Sequence, residues 1–143
     1  MLIKQLSIFV ENQSGRLAEI TSVMADAGID IRAASIADTT DFGILRLIVD
    51  DPDKACEALK AAGLTVSLTN VIAVGIKDEP GGLSDAVKIL SNSGISIEYM
   101  YGFVSRDSDY AYIVLRVEDN EKAVDALLKN NVKILSSKDM YDM

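Results

Sequence analysis

Val10-Glu11-Asn12-Gln13-Ser14-Gly15-Arg16-Leu17 returns 66 residues later as Ile76-Lys77-Asp78-Glu79-Pro80-Gly81-Gly82-Leu83. Each stretch leaves an apolar residue, passes through a polar turn and places a glycine two residues before a leucine. The correspondence extends outward from there. Gly28, Ile29 and Ile31 fall on Gly94, Ile95 and Ile97 at the same spacing. After a two-residue slip, Leu47, Val49, Asp51, Lys54, Ala55, Ala58 and Leu59 fall on Leu115, Val117, Asp119, Lys122, Ala123, Ala126 and Leu127. These are glycines at element ends and apolar residues at core spacing, the positions where backbone geometry and packing restrict choice most. The chain therefore reads as two copies of one unit of about seventy residues. The expected domains are 1–69 and 70–143.

Each copy predicts the same elements. Leu6, Ile8 and Val10 alternate with Ser7, Phe9 and Glu11, the period-two pattern of a strand. Leu17, Ile20, Val23, Met24 and Ala27 follow at helical spacing, and Gly28 stops that helix. Ile29 to Ala37 is extended, Asp38 to Asp41 is a polar loop, and Phe42 to Val49 is the next strand. Pro52 or Asp53 opens a helix striped by Ala55, Ala58, Leu59 and Ala62 and ended by Gly63. Leu64 to Leu68 is the last strand. In the second copy Ile72, Val74 and Ile76 mark a strand, and Leu83, Ala86, Val87 and Leu90 a helix ended by Gly94. Ile95 to Ser105 is extended, Arg106 to Asp109 turns, and Tyr110 to Val117 is a strand. Glu121 to Asn130 is a helix and Val132 to Ser136 the closing strand. The polar tail 137–143 is expected to be loosely held.

The order βαββαβ, written twice, predicts an α+β protein made of two ferredoxin-like sandwiches. Each is a four-stranded antiparallel sheet with two helices on one face. Only Thr69 and Asn70 separate the copies, too short a link for independent tumbling, so the domains are expected to touch. The sheet faces away from the helices carry Phe9, Ile44 and Ile48 in one copy and Ala73, Tyr112 and Val114 in the other. Faces this apolar predict a covering partner, with a merely greasy open face as the alternative.

Composition bounds the function. The chain has 143 residues, 49% of them hydrophobic, enough for a packed core, although either half alone would be marginal. Its net charge of −8, with 22 acidic against 14 basic residues, disfavours a phosphate backbone, so no nucleic-acid partner is expected. The βαββαβ order also occurs in RNA-binding modules, but the charge has the wrong sign and the aromatic signatures are missing. No apolar run reaches membrane-spanning length, and MLIKQLSIFV reads as a strand rather than a leader. A cytoplasmic protein without a membrane partner is expected. The single Cys56 excludes an intrachain disulfide, and with no histidine no metal site, no cofactor and no histidine-based catalysis are expected. Without an activated nucleophile, paired carboxylates or a phosphate-cradling GxxxxGK loop, the chain is not expected to be an enzyme.

The remaining chemistry lies in the two turns. Gly15 and Gly81 carry no side chain where the main chain enters a helix. A ligand can approach there, and the first-turn N–H groups present partial positive charge suited to a carboxylate. Asn12 and Asp78 offer acceptors suited to an ammonium group. Plainer readings stand beside these: the glycines permit a tight turn, and Asp78 caps the helix. Asp30 is either a solvated carboxylate or a ligand contact. Tyr99, Tyr101 and Phe103 alternate on one strand face as core or interface residues, or as a cofactor platform. Cys56, beside an alanine stripe, reads as a packing residue.

The pattern apolar-x-Asp-x-Pro-Gly-x-Leu, then a helix, then Gly-Ile-x-Ile, resembles the ACT domain, a small amino-acid-binding regulatory module. The first copy, Val-Glu-Asn-x-x-Gly-x-Leu, is similar to the version in acetolactate synthase regulatory subunits. The resemblance covers essentially the whole chain as two modules. It implies paired domains joined edge to edge, with an amino acid bound where domains meet. Carried over by position, the implied ligand-binding residues are Asn12, Gln13, Ser14, Gly15, Arg16 and Leu17 in one turn. The other turn supplies Asp78, Glu79, Pro80, Gly81, Gly82 and Leu83. The start of the second strand supplies Ile29, Asp30 and Ile31, with Ile95, Ser96 and Ile97 in the other copy. Subunits of the acetolactate synthase type usually carry Asn where this chain has Asp30 and Ser96.

Two functions are expected on these grounds. The first is a non-catalytic regulator that binds a free amino acid and modulates a metabolic enzyme. The second is a structural subunit that docks on a partner enzyme with no ligand. A homodimer is the expected assembly, pairing through remaining sheet edges, with the fused pair alone as the alternative.

Overall fold

The fold is that of a computed structural model describing residues 2–38, 41–103 and 109–142. The chain divides into two compact units. One is Lys4–Thr69; the other runs onward from Asn70 and takes in Ile3.

In the first unit β1 (Ile3–Glu11) leads to α1 (Arg16–Asp26), β2 (Ile31–Asp38), β3 (Phe42–Val49), α2 (Pro52–Ala61) and the start of β4 (Val66–Lys77). The strands lie in the order β2-β3-β1-β4. In the second unit the rest of β4 leads to α3 (Gly82–Asn92), β5 (Ile97–Phe103), β6 (Tyr110–Val117), α4 (Asn120–Lys129), β7 (Lys133–Leu135) and α5 (Ser137–Tyr141). Its strand order is β7-β4-β6-β5, the same arrangement as in the first unit. The βαββαβ sandwich thus occurs twice, and the equivalence reaches individual residue pairs. Leu6 pairs with Leu47 and Ile8 with Leu45; Ile72 pairs with Leu115 and Val74 with Ile113. The second strand of each unit shifts register at the same place, between Ile31 and Ala33 and between Ile97 and Tyr99.

Alternation explains the packing. Leu6, Ile8, Leu45 and Leu47 face one way from the first sheet and meet Ile20 and Met24 of α1 and Ala55 and Leu59 of α2. Ile72, Val74, Leu115 and Val117 meet Ala86 and Leu90 of α3 and Ala123 and Leu127 of α4 in the same manner. Each large side chain buried this way contributes about 1.5–3 kcal/mol. Cys56 is buried in the first core, as its place beside the alanine stripe implies. Asp51 and Asp119 cap α2 and α4, accepting from the Lys54 and Lys122 N–H groups.

Two expectations need correction. The strands expected at 64–68 and 72–76 are one twelve-residue strand, β4, which runs straight through Thr69 and Asn70. Neither glycine nor proline lies between Val66 and Val74, so nothing local ends the extended conformation there. The tail is not loose: Ser136 and Asp139 form a capping box that starts α5, and Met140 is buried. On the sheet faces away from the helices, Ile48, Ala73, Tyr112 and Val114 are buried and Ile44 is half-buried. Phe9 instead stays 43% exposed and stacks on Phe42 with centroids 4.9 Å apart. The loops expected at 38–41 and 106–109 lie partly outside the described residues, as do the final residues expected of the strand 95–105. No helix among the described residues is long and apolar enough to cross a membrane.

Candidate ligand site at the strand-to-helix turns

The two turns share one hydrogen-bond plan. The Asn12 N–H donates to the Asp41 carbonyl at 3.2 Å, and the Asp78 N–H donates to the Asp109 carbonyl at 3.1 Å. Gln13 N–H then turns back to the Glu11 carbonyl, and Glu79 N–H to the Lys77 carbonyl. Gly15 and Gly81 occupy the N-cap positions with φ of 87° and 90°, a left-handed conformation that side-chain-bearing residues rarely adopt. A Cβ at either position would meet nothing within 4 Å. Backbone conformation, not crowding, therefore selects glycine here.

Neither α1 nor α3 has a side-chain cap. The capping role considered for Asp78 is not the one it plays. The Arg16 and Gly82 N–H groups donate to the Gln13 and Glu79 carbonyls, so the N–H groups of the next two residues are the ones left to solvent or a guest. Asn12, Gln13, Ser14, Leu17, Asp78, Glu79 and Pro80 are exposed, while Arg16, Gly82 and Leu83 are half-buried. Arg16 reaches across its own turn, to Glu11 at 3.3 Å and Glu19 at 3.1 Å.

The residues expected from the second strand sit elsewhere in each unit. Ile29 and Ile95 belong to the two cores, with Ile31 and Ile97 packed against them. Asp30 exchanges hydrogen bonds with Asp50, its N–H meeting the Asp50 carboxylate at 3.0 Å, and pairs with Arg32 at 3.4 Å. Ser96 accepts from the Glu118 N–H. In each unit this set follows the C-terminal end of the helix whose N-terminus forms the turn. Eleven helical residues at about 1.5 Å each separate the two sets by roughly 16 Å along the axis. Within a unit, then, the turn residues come together and the second-strand residues do not join them.

A cavity adjoins each turn. In the second unit it holds about 240 Å³ between the end of β4, the start of α3 and the α4–β7 turn, and Glu79, Gly82 and Asp85 line it. The matching cavity in the first unit holds about 130 Å³, with Phe9, Arg16 and Ile20 on its walls. A shallower depression of about 430 Å³ lies beside the second turn, over Asp78, Glu79, Asp109 and Tyr110. Sequence reasoning missed Gly75, Ala86, Tyr110 and Lys133 as lining residues of the 240 Å³ cavity. The repeat carried a signal for some of them, because Phe9 matches Gly75 and Ile20 matches Ala86. Of the aromatic residues considered as a platform, Phe103 stacks on Tyr112 at 5.6 Å, and Tyr99 and Tyr101 are half-buried.

Comparison with known proteins agrees with this fold. Protein BT0572 from Bacteroides thetaiotaomicron is 43% identical, with a TM-score of 0.94 over 100% of this chain and 98% of its own. The ligand-free regulatory subunit of aspartate kinase from Thermus thermophilus shares the fold at 18% identity. Its TM-score is 0.64 over 90% of this chain and 93% of its own. The corresponding subunit from Thermus flavus gives a TM-score of 0.61 at 18% identity, covering 88% and 90% of the two chains. No curated protein matches the chain. The ACT domain pair family matches residues 1–143, and the chain belongs to that family.

Proposed function

We propose that this protein is a non-catalytic regulator that binds a free amino acid and passes the signal to an enzyme of amino-acid metabolism. The observation that carries this reading is the uncapped, glycine-led entry into α3, flanked by carboxylates and bordered by a cavity. Main-chain N–H groups suit an α-carboxylate, and the neighbouring Asp78 and Glu79 suit an α-ammonium group. The family adds support, since ACT domains are amino-acid-responsive regulatory modules. Two solved structures of the same fold are named as regulatory subunits of aspartate kinase, a title that speaks of those proteins. The finer likeness of the first copy to acetolactate synthase subunits rests on its turn residues alone. Association as a homodimer is part of this proposal, to be checked by light scattering.

Thermal melts of the whole chain against each of the twenty amino acids test the reading. A ligand at one hundred times its dissociation constant stabilises the folded state by about 2.7 kcal/mol, which is readily seen as a raised Tm. A shift with one or a few amino acids is expected. If none produces a shift at millimolar concentration, the structural-subunit reading replaces this one.

A further inference from the structure

Two strands are divided between the units. β1 starts at Ile3, which counts with the second unit and is fully buried, while the next residue, Lys4, opens the first unit. β4 is divided as well, with Thr69 the last residue of the first unit and Asn70 an early residue of the second. β1 and β4 are neighbours in the sheet order. From Val66 to Val74 there is no glycine or proline to absorb a break in the extended chain.

Each unit grips its own side of the division in β4. In the first, the Thr69 hydroxyl lies 3.2 Å from the Ser7 hydroxyl, which accepts from the side-chain amide of the fully buried Gln5 at 3.1 Å. In the second, the Asn70 carbonyl accepts from the Arg116 guanidinium at 3.2 Å and from the Asn120 side-chain amide at 3.5 Å. Glu98 holds the Arg116 guanidinium through its Nε at 3.4 Å. The buried Asn120 Oδ1 has no partner among the described residues. Turning that amide over would set the oxygen against the Asn70 carbonyl, so Asn70 fixes its orientation.

The repeat does not call for these second-unit residues. Arg116 lies between Leu115 and Val117, which match Leu47 and Val49, so its counterpart is Ile48. Asn120 follows Asp119 as Pro52 follows Asp51. Isoleucine and proline have no side-chain donor, so the grip on the incoming carbonyl is particular to the unit that receives β4.

Chains with two compact units commonly melt in more than one step. We infer that this chain does not: β1 and β4 make its two units one cooperative folding unit, so whatever stabilises either stabilises both. Unfolding the first unit alone takes away the strand that carries Ile3, a buried side chain of the second. It also sets the boundary between ordered and disordered chain at the Thr69–Asn70 peptide, where both residues are held. Unfolding the second unit alone frees Ile3 and breaks β4 at the same peptide. A guest bound by one unit then biases the whole chain, and the coupling is reciprocal. The inference holds whatever the guest is.

The sequence supplies a probe for each unit. All five tyrosines, Tyr99, Tyr101, Tyr110, Tyr112 and Tyr141, lie in the second, and the single Cys56 is buried in the first core. Urea unfolding of the whole chain is followed by tyrosine fluorescence and by the rate at which a thiol reagent labels Cys56. Coincident midpoints are expected, and separate ones would overturn the inference. Two independent units of equal stability would also coincide, so Ile20→Ala in α1 and Leu127→Ala in α4 decide, each removing a fully buried side chain. Ile20→Ala is expected to lower the tyrosine midpoint as far as the Cys56 midpoint. Leu127→Ala is expected to speed Cys56 labelling below the midpoint by about tenfold or more. A tyrosine midpoint that ignores Ile20→Ala, or labelling that ignores Leu127→Ala, would overturn the inference. Inserting Gly-Ser-Gly-Ser between Thr69 and Asn70 tests the part played by β4. The tyrosine response to Ile20→Ala is expected to shrink in that chain, and a response of full size would overturn the assignment of the coupling to β4.

Discussion

The Asp78 N–H donates to the carbonyl of Asp109 at 3.1 Å, tying the turn before α3 to the residue that leads into β6. The first unit repeats the bond between Asn12 and Asp41 at 3.2 Å, so the tie belongs to the module and not to one copy. It holds the turn at a fixed height over the sheet.

Deleting that donor while keeping the strand is therefore predicted to loosen the turn. Asp78→Pro removes the N–H and is expected to cost about 0.5–1.5 kcal/mol in urea unfolding, the usual net worth of one such bond. Asp78→Asn keeps the N–H and is expected to leave stability unchanged. Equal effects from the two substitutions would show that the side chain, not the backbone bond, matters.

The glycines at 81 and 82 are predicted to fail differently. At Gly81 the space is open and only φ is demanding, so Ala is expected to cost about 1–2 kcal/mol. Asn, which tolerates the left-handed region, should cost less, and the β-branched Val more. At Gly82 a Cβ would overlap the Lys77 carbonyl oxygen, so Gly82→Ala must shift the backbone. A cost of about 1–3 kcal/mol is expected there, and Asn should give no relief. Denaturant melts of the five variants separate the two causes. Gly81→Val is also expected to weaken the amino-acid response while the fold persists.

The closing helix supplies a pH-dependent prediction. Hydrogen bonds from the Ser136 N–H and Ser136 hydroxyl hold the Asp139 carboxyl below the usual carboxylate range. A depressed folded-state value means the stabilisation is complete above the unfolded-state value and is lost as pH falls through the folded one. Exchange of the Met140 and Asp142 amides is expected to speed up in acid, after correction for intrinsic rates, beyond that of α4. Ser136→Ala should remove about 1 kcal/mol of local stability at neutral pH. Asp139→Asn should flatten the acid dependence. An unchanged profile in that variant would mean another carboxylate is responsible.

Much of the fold was legible because it rests on local rules repeated twice. Gly28, Gly63 and Gly94 marked helix ends, Pro52 marked a helix start, and period-two alternation marked the sheet. The failures share a different character. Thr69 and Asn70 look like a linker because they are polar, yet polarity alone does not end a strand, and β4 continues through them. The tail carried a readable start signal in Ser136 and Asp139 around an apolar Met140, but its polar composition masked a helix of one turn or so. Legibility of the site was partial. The turn glycines stood out because φ near 90° leaves few alternatives. Gly75, Ala86 and Lys133 did not, because a cavity is the sum of several absent side chains on three elements. It shows only when the two copies are compared for size rather than for likeness.

Calorimetric titration of the whole chain with each of the twenty amino acids tests the central claim most directly, because it reads binding itself. Saturable heat with one or a few of them is expected. No heat of binding from any of the twenty would contradict the account.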